Sequence, residues 1–176
     1  MLSDGKIQIR PFQVADAAAF FAYASDPAVT TPAGMAPLTT MDEAVATVTR
    51  YRQEHTDHAI VFRGQVVGHI GVYPRANDPA DPAFMTREIG YALGQPFWGQ
   101  GLMTAAVRLV CADLFARQIT EIWAGVFPDN ARSVRLLRHT GFHYQFTVPL
   151  PASLYGKTAS EEAYYCLLPE NWASKK

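Results

Sequence analysis

The strand-like run Arg87 to Leu93 leads within a few residues to Trp98-Gly99-Gln100-Gly101, which opens directly into a segment where Met103, Val107, Val110 and Leu114 recur at helical spacing. Those four positions share one face of an amphipathic helix over Leu102 to Arg117, so that helix must pack against something. A strand joined by a glycine turn to a packed helix is the first half of a βα unit. The alternation then repeats, because Glu121 to Val126 reads as a strand and Asn130 to Thr140 as a helix ended by Gly141. Strand, helix, strand, helix in this half implies a parallel strand pair, Arg87 to Leu93 beside Glu121 to Val126.

The first half of the chain carries different signals. Ile7 to Arg10 alternates and stops at Pro11, Asp16 to Ala24 reads as helix, and the segment from Asp26-Pro27 through Pro37 reads as a long irregular connection. Thr40-Met41-Asp42-Glu43 is a capping box that starts a helix running to about His55. His58 to Arg63 and Val66 to Tyr73 flank Arg63-Gly64-Gln65 and form an antiparallel hairpin. Pro74 to Phe84 carries two Asp-Pro steps and continues neither strand, while strands around Phe142 to Thr147 and Ala163 to Leu168 finish the chain. No repeat or linker interrupts this order, so one domain over residues 1–176 is expected.

Composition narrows the function. Fifteen Lys and Arg balance sixteen Asp and Glu without a basic run, which argues against nucleic acid as a direct ligand. Asp4 and Gln8 stand where a secretory signal needs a basic end and an apolar core, and the most apolar helical stretch is interrupted by Arg108 and Asp113, so a cytoplasmic protein without membrane association is expected. Cys111 and Cys166 lie in apolar periodic segments and read as reduced, buried thiols. His55 and His58 form an HxxH pair that straddles a helix end and lacks an acidic third ligand, so no metal site is expected. His69, His139 and His143 read as core or surface histidines.

The glycine turn offers an anion a set of backbone N–H groups and the positive end of a helix dipole. Two phosphate loops fail on spacing. A dinucleotide fingerprint needs a third glycine where Thr104 stands and an acid at the end of the next strand, whereas Glu121 is at its start. Gly156-Lys157-Thr158 imitates the end of a P-loop, but Pro151 occupies the position that needs the first glycine.

Taken together, Glu88-Ile89-Gly90-Tyr91 followed by Trp98-Gly99-Gln100-Gly101-Leu102-Met103-Thr104, with Asn130-Ala131-Arg132-Ser133 and Leu136-Leu137-Arg138-His139-Thr140-Gly141-Phe142 after the next strand, resemble the two cofactor motifs of the GNAT superfamily of acetyltransferases. Ile9-Arg10-Pro11-Phe12 and Tyr165-Cys166-Leu167-Leu168 with Trp172 are similar to its RimJ/RimL-type branch, the ribosomal-protein N-terminal acetyltransferases and their relatives. The resemblance spans nearly the whole chain and implies an α/β (α+β mixed) GNAT fold: a mixed, twisted sheet of about seven strands with flanking helices, splayed at the parallel central pair, with acetyl-CoA held in the opening. Trp98 departs from the frequent Gln or Arg, Met103 from the frequent Gly or Ala, and Leu137 from the general-acid tyrosine of the second motif.

The resemblance implies that Trp98, Gly99, Gln100, Gly101, Leu102, Met103 and Thr104 cradle the pyrophosphate of acetyl-CoA, that backbone groups of Tyr91, Ala92 and Leu93 pair with its pantetheine arm like an added strand, and that Asn130 touches the same arm. The acceptor is then a primary amine, a peptide N-terminus or a small molecule, and a homodimer is one assembly open to such a chain. Strand alternation puts Glu88 and Gly90 on one face and Ile89, Tyr91 and Leu93 on the other, so Glu88 sits beside a gap left by glycine. A carboxylate partly desolvated there has a raised pKa and suits a general base; the competing reading is a solvated Glu paired with Arg87. Asn130, Ser133 and Leu137 share a helix face, and Ser133 is the candidate acid for the leaving thiolate, with Tyr144, Tyr155, Tyr164 and Tyr165 as alternatives. The acceptor wall falls to the segments Thr30 to Leu38, Pro74 to Phe84 and Pro149 to Thr158, which do not reveal the amine. Two rival classes remain: a non-catalytic acyl-CoA-binding module, motivated by Leu137, and a structural protein with no nucleotide ligand.

Overall fold

The computed structural model describes residues 1–151 and 161–173. Its strands are β1 (Leu2–Ser3), β2 (Ile7–Pro11), β3 (Asp57–Phe62), β4 (Gln65–Pro74), β5 (Thr86–Leu93), β6 (Glu121–Val126), β7 (His143–Pro149) and β8 (Glu161–Leu167). The helices are α1 (Ala17–Ala24), α2 (Pro27–Thr30), α3 (Met41–Glu54), α4 (Leu102–Ala116), α5 (Ala131–His139) and α6 (Pro169–Ala173). The eight strands form one mixed sheet in the order β1-β2-β3-β4-β5-β6-β8-β7. All described neighbour registers are antiparallel except β5 with β6, which run parallel as the strand–helix alternation requires.

Local chemistry explains most boundaries. Thr40 accepts the Glu43 amide at 3.2 Å while the Glu43 carboxylate accepts the Thr40 amide at 3.3 Å, closing the expected capping box at the start of α3. That helix ends where His55 turns left-handed with φ 57°, which separates His55 from His58 on β3. The β3–β4 hairpin turns on Arg63 and Gly64, both at positive φ, the requirement of a two-residue turn that matches strand twist. The segment expected to be irregular after Asp26 instead winds into α2 and a 3-10 turn over Thr31–Ala33, because Asp26 caps the Ala28 amide and Pro27 is pre-set for a helix start. Two short elements, β1 and α6, have too few residues to show a period.

Contacts group the chain into two compact units, one of Met1–Gly71 with Tyr91–Val110, the other of Val72–Gly90 with Cys111–Lys176. The core of the first is a ring cluster: Phe20 meets Phe12, Tyr23 and Tyr51 edge-on or nearly so, and the His69 imidazole stacks on Tyr23. His69 is buried and its Nδ1 shares a hydrogen bond with the Tyr23 hydroxyl at 3.0 Å. In the same unit, β4 and β5 approach so closely at Gly68 that a Cβ there would collide with the Ala92 carbonyl oxygen. In the second unit β6 alternates strictly, with Ile122, Ala124 and Val126 buried and Glu121, Trp123 and Gly125 half-exposed. Helix α4 buries Met103, Val107, Val110 and Leu114, the stripe read from the sequence.

Burial pushes the His69 imidazole below its ordinary pKa of 6.5, against a smaller opposing pull from Asp57. An unfolded chain therefore takes up this proton at higher pH than the folded one, and the stability tied to His69 is complete above pH 6.5 and lost as the pH falls below it. Urea midpoints measured at pH 7.5 and pH 5 should show a larger acid-side loss for the wild type than for His69→Gln.

Candidate functional site

Between β5 and α4 the chain makes a 3-10 turn over Gln95–Phe97 and then passes through Gly99 and Gly101, both at φ 74°. A Cβ on either would meet nothing within 4 Å, so glycine is required here by backbone conformation rather than by crowding. The first helical bond of α4 runs from the Ala105 amide to the Gly101 carbonyl at 3.0 Å. The amides of Leu102, Met103 and Thr104 therefore precede the helical ladder, at the positive end of its dipole. Leu102 and Met103 are buried and fix the helix start, while Gly99, Gln100 and Gly101 are exposed and Thr104 half-exposed.

Side-chain contacts brace this turn. The Trp98 indole Nε1 donates to the Leu93 carbonyl at 2.7 Å, tying the turn back to the end of β5. The Gln100 side chain donates to the Pro96 carbonyl at 3.1 Å. Lys6, just before β2, donates its Nζ to the Gln100 carbonyl at 2.8 Å. Lys6 was not legible from the sequence: it lies 94 positions from Gln100, and no local pattern links the two. Trp98 thus acts as a strut, and the lysine adds positive charge beside the two left-handed glycines.

Along β5 the alternation read from the sequence holds through Gly90 and then breaks. Glu88 and Gly90 are half-exposed and Ile89 is buried, but Tyr91 is half-exposed and Ala92 and Leu93 are both buried, where Gly68 lets β4 come close. The registered pairs of β5 with β6 are Thr86 with Glu121, Arg87 with Ile122 and Glu88 with Trp123, so Tyr91, Ala92 and Leu93 lie beyond the last registered pair.

Glu88 sits in the second unit with its side chain 35% exposed, and its partner is not Arg87. Arg87 donates to the carbonyls of Phe84 and Thr86, whereas Arg75 approaches Glu88 at 4.0 Å. Burial raises the Glu88 pKa above its ordinary value; Arg75 opposes this and the carboxylate of Glu162 adds to it. A Cβ on Gly90 would meet the Tyr73 ring at 3.5 Å, ordinary contact, so the gap beside Glu88 has about the size of a methyl group.

Asn130 caps α5, its side-chain oxygen accepting the Ser133 amide at 3.2 Å. That bond brings Asn130 and Ser133 together, both half-exposed, while Leu137 points into the core and is fully buried. Of the alternative acids, Tyr144 bonds Thr147, Tyr164 donates to Glu162 at 2.9 Å and Tyr165 is buried. Tyr155 and the Gly156-Lys157-Thr158 sequence lie outside the described residues, as does most of the segment from Pro149 to Thr158. Both cysteines are buried, and burial pushes the Cys166 thiol up to about 12 and Cys111 further. Among the described residues no three His, Cys, Asp or Glu side chains form a metal-binding group, and no helix is long and apolar enough to cross a membrane.

Residues 6–143 match the family model described as the acetyltransferase (GNAT) domain. The chain belongs to this family. It is therefore an acetyl-CoA-dependent acetyltransferase, with acetyl-CoA as the acetyl donor. A 62-residue stretch is 45% identical to the probable N-acetyltransferase YjcK of Bacillus subtilis, covering 35% of this chain and 34% of that protein. Over 145 residues the chain is 28% identical to the uncharacterized N-acetyltransferase p20 of Bacillus licheniformis, covering 78% of this chain and 79% of that one. Among solved structures, a GNAT-family acetyltransferase from Bacillus anthracis superposes with a TM-score of 0.83 at 22% identity, over 97% of this chain and 99% of that one, which shows the common fold.

Gly101→Ala would force a Cβ into the left-handed region at a cost of about 1–2 kcal/mol. The expected result is a urea unfolding free energy lowered by about that amount, with native-state circular dichroism unchanged.

Proposed function

We propose that the chain transfers the acetyl group of acetyl-CoA to a primary amine, a protein N-terminus or a small molecule, by direct attack without an acetyl-enzyme. The observation that carries this reading is Glu88: a half-exposed carboxylate at the last registered β5–β6 pair, raised by burial toward the range of a working base. Glu88 takes the proton of the attacking amine, directly or through water. Removing that proton is the step that needs help, because an ammonium has no lone pair with which to attack a thioester.

The amides of Gly99 to Thr104 and the dipole of α4 suit the pyrophosphate of acetyl-CoA, with Trp98 bracing the turn. Backbone groups of Tyr91, Ala92 and Leu93 suit the pantetheine arm, the Leu93 carbonyl doing so through the lone pair that Trp98 leaves. Asn130 contacts the arm and Ser133 protonates the departing thiolate. Neither cysteine supplies a thiolate at neutral pH, in keeping with direct transfer. We assign the chain to the RimJ/RimL-type branch on Ile9-Arg10-Pro11-Phe12 and on Tyr165-Cys166-Leu167-Leu168 with Trp172, and read it as a single cytoplasmic domain.

The leucine at position 137, in place of a tyrosine, motivates one competing reading, an acyl-CoA-binding module without turnover. Thiol release from acetyl-CoA across a panel of amines separates the two. With Glu88 as base, kcat/KM rises with pH through an inflection above the ordinary carboxylate value, because only the deprotonated form accepts a proton. Glu88→Gln should lose that limb and about a hundredfold or more of the rate, with acetyl-CoA affinity unchanged. Tight acetyl-CoA binding with no amine-dependent thiol release would establish the module instead.

A further inference from the structure

Residues paired across a ladder face the same side of a sheet, and in the second unit the registers assemble one face from four strands, half-exposed except at the buried Cys166. Glu88 pairs with Trp123 and Trp123 with Cys166; Gly125 pairs with Tyr164, Tyr164 with Phe146, and Glu162 with Val148. The rings on this face touch in sequence. Trp123 and Phe146 are 5.9 Å apart between centroids, and Phe146 stacks on Tyr164 at 5.3 Å with an interplanar angle of 26°. Phe146 is 42% exposed, so this aromatic shelf is open to a ligand.

The charges around the shelf are unequal. Glu88, Glu121 and Glu162 border it; Tyr164 donates to Glu162 at 2.9 Å and the Trp123 indole donates to Glu121 at 2.7 Å. The Glu162 carboxylate rests over the bare backbone of Gly125, where an added Cβ would lie 2.5 Å from its Oε1. The chain's own cation, the Arg75 guanidinium, sits 4.2 Å from the centre of the Trp123 ring and 4.0 Å from the Glu88 carboxylate. An aromatic face backed by carboxylates is the arrangement that recognises an ammonium group, and Arg75, on the loop after β4 with its side chain 28% exposed, occupies that place as a stand-in.

We infer that this face binds the acceptor as a cationic primary amine with a flat, apolar body: the ammonium lies against Trp123 between Glu88 and Glu162 in place of Arg75, and the body lies on Phe146 and Tyr164. The inference rests on the reading of Glu88 as the base. Glu162 is then a positioning residue, held by Tyr164 and seated by Gly125, which acts on acceptor affinity and reaches proton transfer only by raising the pKa of Glu88. The three carboxylates also draw the ammonium form toward the face before its proton is removed.

Steady-state thiol release at saturating acetyl-CoA, with phenethylamine, ethanolamine and spermidine as acceptors and acetyl-CoA affinity measured by calorimetry, tests this. Phenethylamine should have a KM about tenfold below that of ethanolamine, as expected for ring stacking plus a cation on an aromatic face. Glu162→Gln should raise the phenethylamine KM about tenfold with kcat nearly unchanged on the high-pH plateau where Glu88 is deprotonated, and Gly125→Ala, which displaces the carboxylate without removing it, should move KM the same way. Arg75→Ala should lower KM. Equal KM values for phenethylamine and ethanolamine, a preference for spermidine, KM values indifferent to both Glu162→Gln and Gly125→Ala, or a raised KM in Arg75→Ala would each overturn the inference while leaving acetyl transfer intact. Acetyl-CoA binding without turnover of any amine would overturn it together with the role of Glu88.

Discussion

Two backbone torsions near +74°, at Gly99 and Gly101, set the terms for the rest of the turn between β5 and α4. Each sends the chain through a region that L side chains avoid, and between them they deliver Leu102, Met103 and Thr104 to a helix start whose amides have no earlier carbonyl to bond. Everything nearby serves to hold that turn. The Trp98 indole clasps the Leu93 carbonyl, Lys6 clasps the Gln100 carbonyl, and the buried Leu102 and Met103 root the first turn of α4. The absence of crowding at both glycines is informative, since a conformational demand with open space in front of it leaves room for a phosphate.

What could be read in advance was whatever a short window of sequence encodes. The stripe Met103, Val107, Val110, Leu114, the capping box at Thr40 and the turn at Arg63-Gly64 each follow from local periodicity or local hydrogen bonding, and each is present. Helix α2 escaped because Asp26-Pro27 reads as a break, although the same pair, an aspartate cap followed by proline at the first helical position, also starts a helix. The alternation along β5 failed after Gly90 for a reason no single strand contains: the burial of both Ala92 and Leu93 reflects the close approach of β4 at Gly68.

The candidate site residues divide along the same line. Glu88 and the glycine turn stand in contiguous motifs, and so do Asn130 and Ser133, joined here by a cap. Arg75 stood in the Pro74 to Phe84 segment, which the sequence offered as part of the acceptor wall without singling out a residue, and Glu162 stood just before the strand read over Ala163 to Leu168. Only the registers of β5, β6, β8 and β7 put Glu88, Trp123, Tyr164 and Phe146 on one face, and register is a property of pairs of strands rather than of either sequence alone.

The two cysteines carry a practical consequence. Cys111 and Cys166 are buried, and burial keeps both thiols protonated far above neutral pH. Since the thiolate is the reactive form, the native chain is nearly silent toward thiol reagents while it stays folded. A single cysteine introduced on exposed surface would carry a dye or spin label alone, which makes the molecule a clean host for distance measurements as its ligands bind.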